Sequence, residues 1–276
     1  MTRIAALQFK AHKDQPAASL AALCQLIDEA AAAGAALVVC PEMAYTGYLF
    51  ENAAAILPHC ETARGGAFPR LSELAGRHGI YLVCGYPEIE ESREPPTAPG
   101  ASSLPPRLFN SARVLGPDGS LLCNYRKRLL FTADTTWATE GDTPYPILPT
   151  PFGALTVGIC MDLNDDRFTE FLVQHSPLVV AFCTNWLDQG SDVLPYYLYR
   201  LRGFAGVFAA ANTYGGETSP GHAPTRFCGR STIFSMAGPA PAPDDPAAST
   251  GASGRIQVTV HGRATKSGDA VVLVEI

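Results

Sequence analysis

Hydrophobic and polar positions fall along this chain in two kinds of block. Ile4–Phe9, Ala36–Cys40, Ile80–Tyr86, Ser111–Leu115, Leu155–Cys160 and Leu178–Cys183 are short apolar runs rich in Val, Ile and Leu. Bounded by Gly, Pro or polar residues, they predict strands buried on both faces. Between them lie helical patterns. Ala17–Ala33 has Leu20, Leu23, Leu26 and Ile27 at helical spacing, and Gly34 stands where a left-handed glycine ends a helix. Phe68–His78, Arg167–His175 and Leu194–Ala209 read as helices in the same way. In Arg113–Leu122 a Pro117-Asp118-Gly119 turn joins two extended runs, which predicts a hairpin and therefore a mixed sheet. Strands alternating with helices indicate an α/β fold around a central sheet or sheets.

Two segments break the pattern. Glu91–Arg107 and Pro239–Gly254 are rich in Pro, Ala, Ser and Gly and are expected to be exposed, mobile loops. Strand patterns continue on both sides of each, so neither reads as a linker, and residues 1–276 are expected to form one domain. Hydrophobic residues make up 47% and charged residues 17%, which excludes wholesale disorder. The 20 Lys+Arg against 26 Asp+Glu give a charge of −6, with no basic cluster for nucleic acid or an anionic membrane surface. Apolar stretches such as Ala30–Cys40 fall short of the roughly 20 residues a membrane span needs. Gln8 and Lys10 break the first apolar run and no cleavage-site pattern follows, so a cytoplasmic location is expected.

Eight cysteines include no CxxC pair and no Cys/His cluster with zinc-ligand spacing. A disulfide framework is not expected, and Cys40, Cys84, Cys123 and Cys183 lie in or beside apolar runs as small hydrophobes do. Cys160 is the one that invites chemistry. It ends Leu155–Cys160 and precedes Met161-Asp162-Leu163, as a nucleophile on a strand-to-turn elbow would, with the next N–H as an oxyanion donor. Glu42 follows the run ending in Cys40-Pro41, at the strand edge where α/β folds gather their active sites. Lys127, in Asn124-Tyr125-Arg126-Lys127-Arg128, closes the second arm of the hairpin. Singly, each is also what an ordinary loop acid, a solvated cation or a core cysteine looks like.

Taken together, the three motifs resemble the carbon–nitrogen hydrolase (nitrilase) superfamily, whose members carry a Glu-Lys-Cys triad in that chain order. The matching residues are Pro41-Glu42-Met43 with Thr46-Gly47-Tyr48, then Tyr125-Arg126-Lys127, then Gly158-Ile159-Cys160-Met161-Asp162-Leu163. Phe109-Asn110-Ser111-Ala112 and Ala210-Ala211-Asn212-Thr213-Tyr214-Gly215 support them. The resemblance implies an α-β-β-α sandwich of two mixed sheets that dimerises into an eight-layer stack. It implies Cys160 as a nucleophile forming a thioester, Glu42 as general base and acid, and Lys127 with the Met161 N–H as oxyanion stabilisers. No metal or organic cofactor is implied. A gapless alignment of Trp137–Gly141 puts Asp134 at the position of a second carboxylate, with Glu140 as the competing candidate.

Cys160 lacks the Cys-Trp-Glu setting of true nitrilases, so an amide is expected rather than a nitrile. Arg200-Leu201-Arg202-Gly203-Phe204 also departs from the Arg-Ala-x-Glu-Asn of many relatives. The run Tyr125–Gly141, Gly158–Asn164, Tyr197–Leu201 and Phe227–Ser231 looks like the protein N-terminal amidase branch, which converts N-terminal Asn or Gln to Asp or Glu. An ω-amide or carbamoyl substrate is the alternative, followed by a nitrilase, an N-acyltransferase or a catalytically silent binding protein. Tyr48, Asn185 and Trp186 are expected at the pocket wall, while Asp162 either anchors the elbow or touches substrate. An α-ammonium group would need an acid, with Asp134, Asp162 and Asp188 as candidates. The chain ends in the apolar run Val271–Ile276, from which a dimer is expected rather than a filament. The helices at Arg167–His175 and Leu194–Ala209 are its expected interface.

Overall fold

The long apolar runs become the middle strands of two six-stranded sheets. A computed structural model describes residues 1–91, 106–237 and 256–276. The first sheet holds β1 (Arg3–Gln8), β2 (Leu37–Val39), β3 (Tyr81–Ile89), β4 (Leu108–Leu115), β5 (Leu121–Arg126) and β14 (Ala270–Glu275), in the order β14-β1-β2-β3-β4-β5. The second holds β6 (Leu148–Thr150), β7 (Gly153–Ile159), β8 (Val179–Thr184), β9 (Gly206–Asn212), β12 (Thr232–Ala237) and β13 (Gln257–Arg263), in the order β13-β12-β9-β8-β7-β6. A separate hairpin pairs β10 (Tyr214–Glu217) with β11 (Thr225–Cys228). In each large sheet three strands run parallel, β1-β2-β3 and β7-β8-β9, with antiparallel strands flanking them.

Side-chain alternation sets the layers. Ile4, Ala6, Leu37, Val39, Val83 and Val114 meet Val157, Ile159, Val179, Ala181, Val207 and Ala209 between the sheets. On the outer face of the first sheet, Ala5, Leu7, Val38 and Leu82 pack under helices α1 (Pro16–Ala32) and α3 (Phe68–His78). On the outer face of the second, Val180, Phe182 and Phe208 lie under α4 (Asp166–His175) and α5 (Leu194–Arg200). One-turn α2 (Ala53–Ile56) completes the helices. Strands covered on both sides must be apolar throughout, which is why they read as unbroken runs. The result is the α-β-β-α sandwich of two mixed sheets.

Gly34, at φ 89°, takes the left-handed turn expected after α1. The hairpin over Arg113–Leu122 forms as β4 and β5, joined through Gly119 at φ 79°. The helix expected over Leu194–Ala209 is corrected: it stops at Arg200, and Gly206–Asn212 is the buried parallel strand β9. Gly203 and Gly206 both sit at positive φ, and Val207–Ala211 fills the slot beside β8. Sheet pairing there outweighs the alanines' helix preference. The loops expected at 91–107 and 239–254 fall almost wholly outside the described residues. The base of the first is tied, with Glu90 N–H donating to the Arg107 carbonyl at 3.0 Å.

Candidate active site

Parallel strands deliver their C-terminal ends to one edge, and the turns beyond them collect the chemistry there. Glu42 follows β2, Cys160 follows β7 and Asn185 follows β8. Strand β5 is antiparallel to β4, which is antiparallel to β3, so β5 runs with β3 and brings Lys127 to the same edge. Two of these turns are strained. Met43 and Cys160 occupy the left-handed region at φ 50° and 42°, unfavourable for residues with a Cβ and frequent at functional sites. The Glu42 turn also leans on Gly85 of β3. A Cβ there would lie 2.6 Å from the Pro41 carbonyl oxygen and 2.7 Å from the Glu42 Cα.

At the centre, Lys127 Nζ donates to Glu42 Oε1 at 2.6 Å and to Asp134 Oδ2 at 2.6 Å, all three side chains being 0% exposed. Asn110 Nδ2 spans the same carboxylates, at 2.7 Å from Glu42 and 3.1 Å from Asp134. The second Glu42 oxygen accepts the Asn185 N–H at 2.8 Å, and Asn185 Nδ2 donates to the Glu42 carbonyl at 3.0 Å. Asp134 is further fixed by the Phe131 N–H at 3.0 Å. Glu140, the competing candidate for the second carboxylate, is exposed.

Asp162 ties the two sides of the site together. Its carboxylate accepts Tyr125 OH at 2.7 Å, Ile159 N–H at 2.9 Å, Arg128 N–H at 3.0 Å and Leu129 N–H at 3.1 Å. It thereby locks the Lys127 segment to the Cys160 elbow. Both of its oxygens are spent on these donors and the residue is fully buried, the geometry of an anchor for the elbow. Asp134 is likewise consumed inside the cluster, and Asp188 pairs with Lys266 at 2.6 Å. None of the three acids considered for an α-ammonium group is free. Asp192 does line the cleft, but it is paired with Arg263 and Arg230.

Burial governs the ionisation of this cluster. It pushes Glu42 above the ordinary carboxylate range; Lys127 pulls it back and the Asp134 charge adds to the rise. For Lys127, burial acts downward, yet the two carboxylates outweigh it and hold the ammonium above its usual range. Burial and the Glu42 charge push the Cys160 thiol up, with Lys127, Thr184 and the Asn185 N–H only partly opposing them. The sulfur therefore carries its proton at neutral pH, beside a carboxylate whose raised affinity suits it to take that proton.

Cys160 opens on a cleft of about 310 Å³. Tyr48, Met161, Asn185 and Trp186, named from the sequence, all line it. Phe131, Asn164, Leu187, Gln189 and Tyr196 line it too and were not foreseen. In the sequence Asn110 stands out only as part of the motif Phe109-Asn110-Ser111-Ala112. A buried Asn within the strand Leu108–Leu115 was the available signal, since such a group must find partners.

The layering and the elbow place this chain among α-β-β-α sandwiches with a cysteine at a strand end. Direct comparison gives the family: residues 3–241 match the carbon–nitrogen hydrolase family, and the chain belongs to it. It is 34% identical over 151 residues to the protein N-terminal amidase of Schizosaccharomyces pombe, covering 52% of this chain and 49% of that protein. It is 32% identical over 162 residues to omega-amidase NIT2 of Xenopus tropicalis, covering 55% and 51% respectively. The chain thus spans about half the length of these curated relatives. A crystal structure of an N-terminal amidase with an Asn-Glu-Ala peptide superposes with a TM-score of 0.77 at 15% identity, covering 100% of this chain and 97% of that one. An amidase from Nesterenkonia sp. AN1 gives 0.72 at 20% identity, covering 100% and 93%. These superpositions share the fold.

Proposed function

We propose that this chain hydrolyses a linear amide through a thioester on Cys160, releasing ammonia, and that its substrates are peptides or proteins beginning with Asn or Gln. The observation that carries the reading is the buried Glu42–Lys127–Asp134 cluster, with both ion pairs at 2.6 Å, beside the Cys160 elbow. As Sγ attacks the carbonyl carbon, Glu42 takes the thiol proton and the carbonyl electrons move to oxygen. Lys127 Nζ and the Met161 N–H stabilise that oxyanion. Glu42 then gives its proton to the amide nitrogen, the C–N bond breaks and ammonia leaves. Water, deprotonated by Glu42, attacks the thioester, the C–S bond breaks and the sulfur recovers a proton. Asp134 keeps Lys127 charged and aimed.

The substrate class is supported by the similarity to N-terminal amidases, and a free small ω-amide is the second reading, supported by the similarity to omega-amidases. The purified protein should release ammonia from short peptides beginning in Asn or Gln and leave free glutamine, α-keto ω-amides and carbamoyl amino acids unchanged. Turnover of a free amide instead moves it to the second reading. Retention of the acyl group on an amine acceptor would make it an acyltransferase.

We also propose a homodimer built on the outer helices of the second sheet. Val173 of α4, Tyr199 beyond the middle of α5 and neighbouring Leu178 are exposed there, an apolar face that pairing would cover. Light scattering at micromolar concentration should give twice the chain mass; a monomer overturns this. Among the described residues no helix is long and apolar enough to cross a membrane.

A further inference from the structure

Tyr48 is buried beside the proposed reacting groups, with the Asp134 carboxylate near its hydroxyl but no hydrogen bond of full geometry to it among the described residues. The ring stands edge-on to Phe227 at 5.9 Å, and Lys127 Nζ lies 5.8 Å from its centre. A buried hydroxyl without a well-formed bond is unfavourable, and even one facing Asp134 keeps lone pairs to accept with, so at the border of the cleft it points to a ligand group that completes it. Its main chain, in contrast, is held firmly from a distant part of the sequence. Glu217 of β10 accepts the Tyr48 N–H at 3.0 and 3.1 Å through its two oxygens and the Leu49 N–H at 3.1 Å. Lys13 donates to the Leu49 carbonyl and stands 3.7 Å from the Glu217 carboxylate. The approach is close enough to demand a glycine next door. Gly47 has φ 79°, and a Cβ on it would meet Lys13 Cγ at 2.3 Å and Glu217 Oε1 at 3.0 Å.

We propose that Glu217 is a positioning residue, clamping the Tyr48–Leu49 main chain so that the Tyr48 hydroxyl hydrogen-bonds the substrate carboxamide held at Cys160. This rests on the amidase reading and adds to it a residue that lies outside every triad motif. The β10–β11 hairpin belongs to neither large sheet, and the clamp gives that hairpin a function. Charge-assisted bonds from a mostly buried carboxylate to two N–H groups are strong and directional, as fixing one ring beside Lys127 requires.

The test uses Tyr48→Phe, Glu217→Ala, their double variant and Glu217→Gln, with two readouts. One is amide turnover; the other is hydrogen exchange at the Tyr48 and Leu49 amides. Tyr48→Phe and Glu217→Ala should each lower kcat/KM by about tenfold, the scale of one hydrogen bond. The double variant should be no worse than the poorer single one, because the clamp acts only through the hydroxyl. Glu217→Gln keeps one acceptor oxygen and should recover part of the loss. Exchange should accelerate in Glu217→Ala and stay unchanged in Tyr48→Phe. Unchanged exchange in Glu217→Ala overturns the clamp, and losses that multiply in the double variant overturn its action through Tyr48. If the native protein turns over none of the amides while exchange still responds to Glu217→Ala, the clamp stands and the amidase reading fails.

Discussion

Cys160→Ala is expected to abolish amide hydrolysis, a loss on the order of a millionfold as when a catalytic nucleophile is removed. The fold should persist, with a melting midpoint within about 4 °C of the native value. Alanine keeps a Cβ at φ 42°, so the strain of the elbow is the same in both proteins and only the sulfur is missing. Cys160 is the one cysteine that lines the cleft among the described residues. Burial pushes Cys24 up to about 11 and Cys60 up to about 12, and neither has the Glu42–Lys127 pair beside it. Cys160 is itself pushed up, so the proposed reaction depends on Glu42 taking its proton and not on a resting thiolate. Two measurements follow. Quenching a reaction and weighing the protein should show an acyl adduct on the peptide bearing Cys160, absent from the variant. Iodoacetamide, which needs the thiolate, should label Cys160 slowly at neutral pH and faster as pH rises. Activity in the variant above about a thousandth of native would mean that another group carries the acyl chemistry.

The layers of the fold were legible because its central strands are covered on both faces and cannot hide among polar residues. Where that coverage weakens, the pattern fails. Strand β13 is largely exposed and β10 partly so, and neither stands out as an apolar run. Strand β9 was hidden for another reason: the alanines of Val207–Ala211 favour a helix locally, and only pairing with β8 and β12 decides otherwise. The site divides along a similar line. Glu42, Lys127 and Cys160 sit in ordered motifs close to strand ends, whereas Asp134 lies on a turn beyond β5 and only a gapless alignment points to it. Their supports come from unrelated stretches. The Asn185 N–H reaches Glu42 from 143 positions away, and Glu217 reaches Tyr48 from 169. Such pairings are set by how the two sheets and the separate hairpin pack together, which no local pattern in a single sequence encodes.

Lys127→Ala should damage stability and catalysis together, for one electrostatic reason. The ammonium is the cation shared by two fully buried carboxylates, Glu42 and Asp134. Removing it strands both, and breaking a buried pair this way destabilises a protein by about 3–5 kcal/mol. Asn110 remains as a neutral donor to both and offsets a fraction of that. Catalysis loses one of its two oxyanion donors, the charged one, with kcat falling by roughly 10²–10³. The sign of the accompanying pH effect is fixed as well. Burial already raises Glu42 and Lys127 lowers it, so loss of the cation lets Glu42 rise further. A base must be deprotonated to act, so the acidic limb of the residual kcat/KM profile should move to higher pH. A second variant separates the two losses. Lys127→Met with Asp134→Asn removes one stranded charge along with the cation, so denaturant unfolding should show part of the stability restored. Activity should stay low, because only the Met161 N–H remains to meet the oxyanion. A Lys127→Ala protein of native stability would show that the cluster is not held by these ion pairs, and one of native activity would remove Lys127 from the reaction.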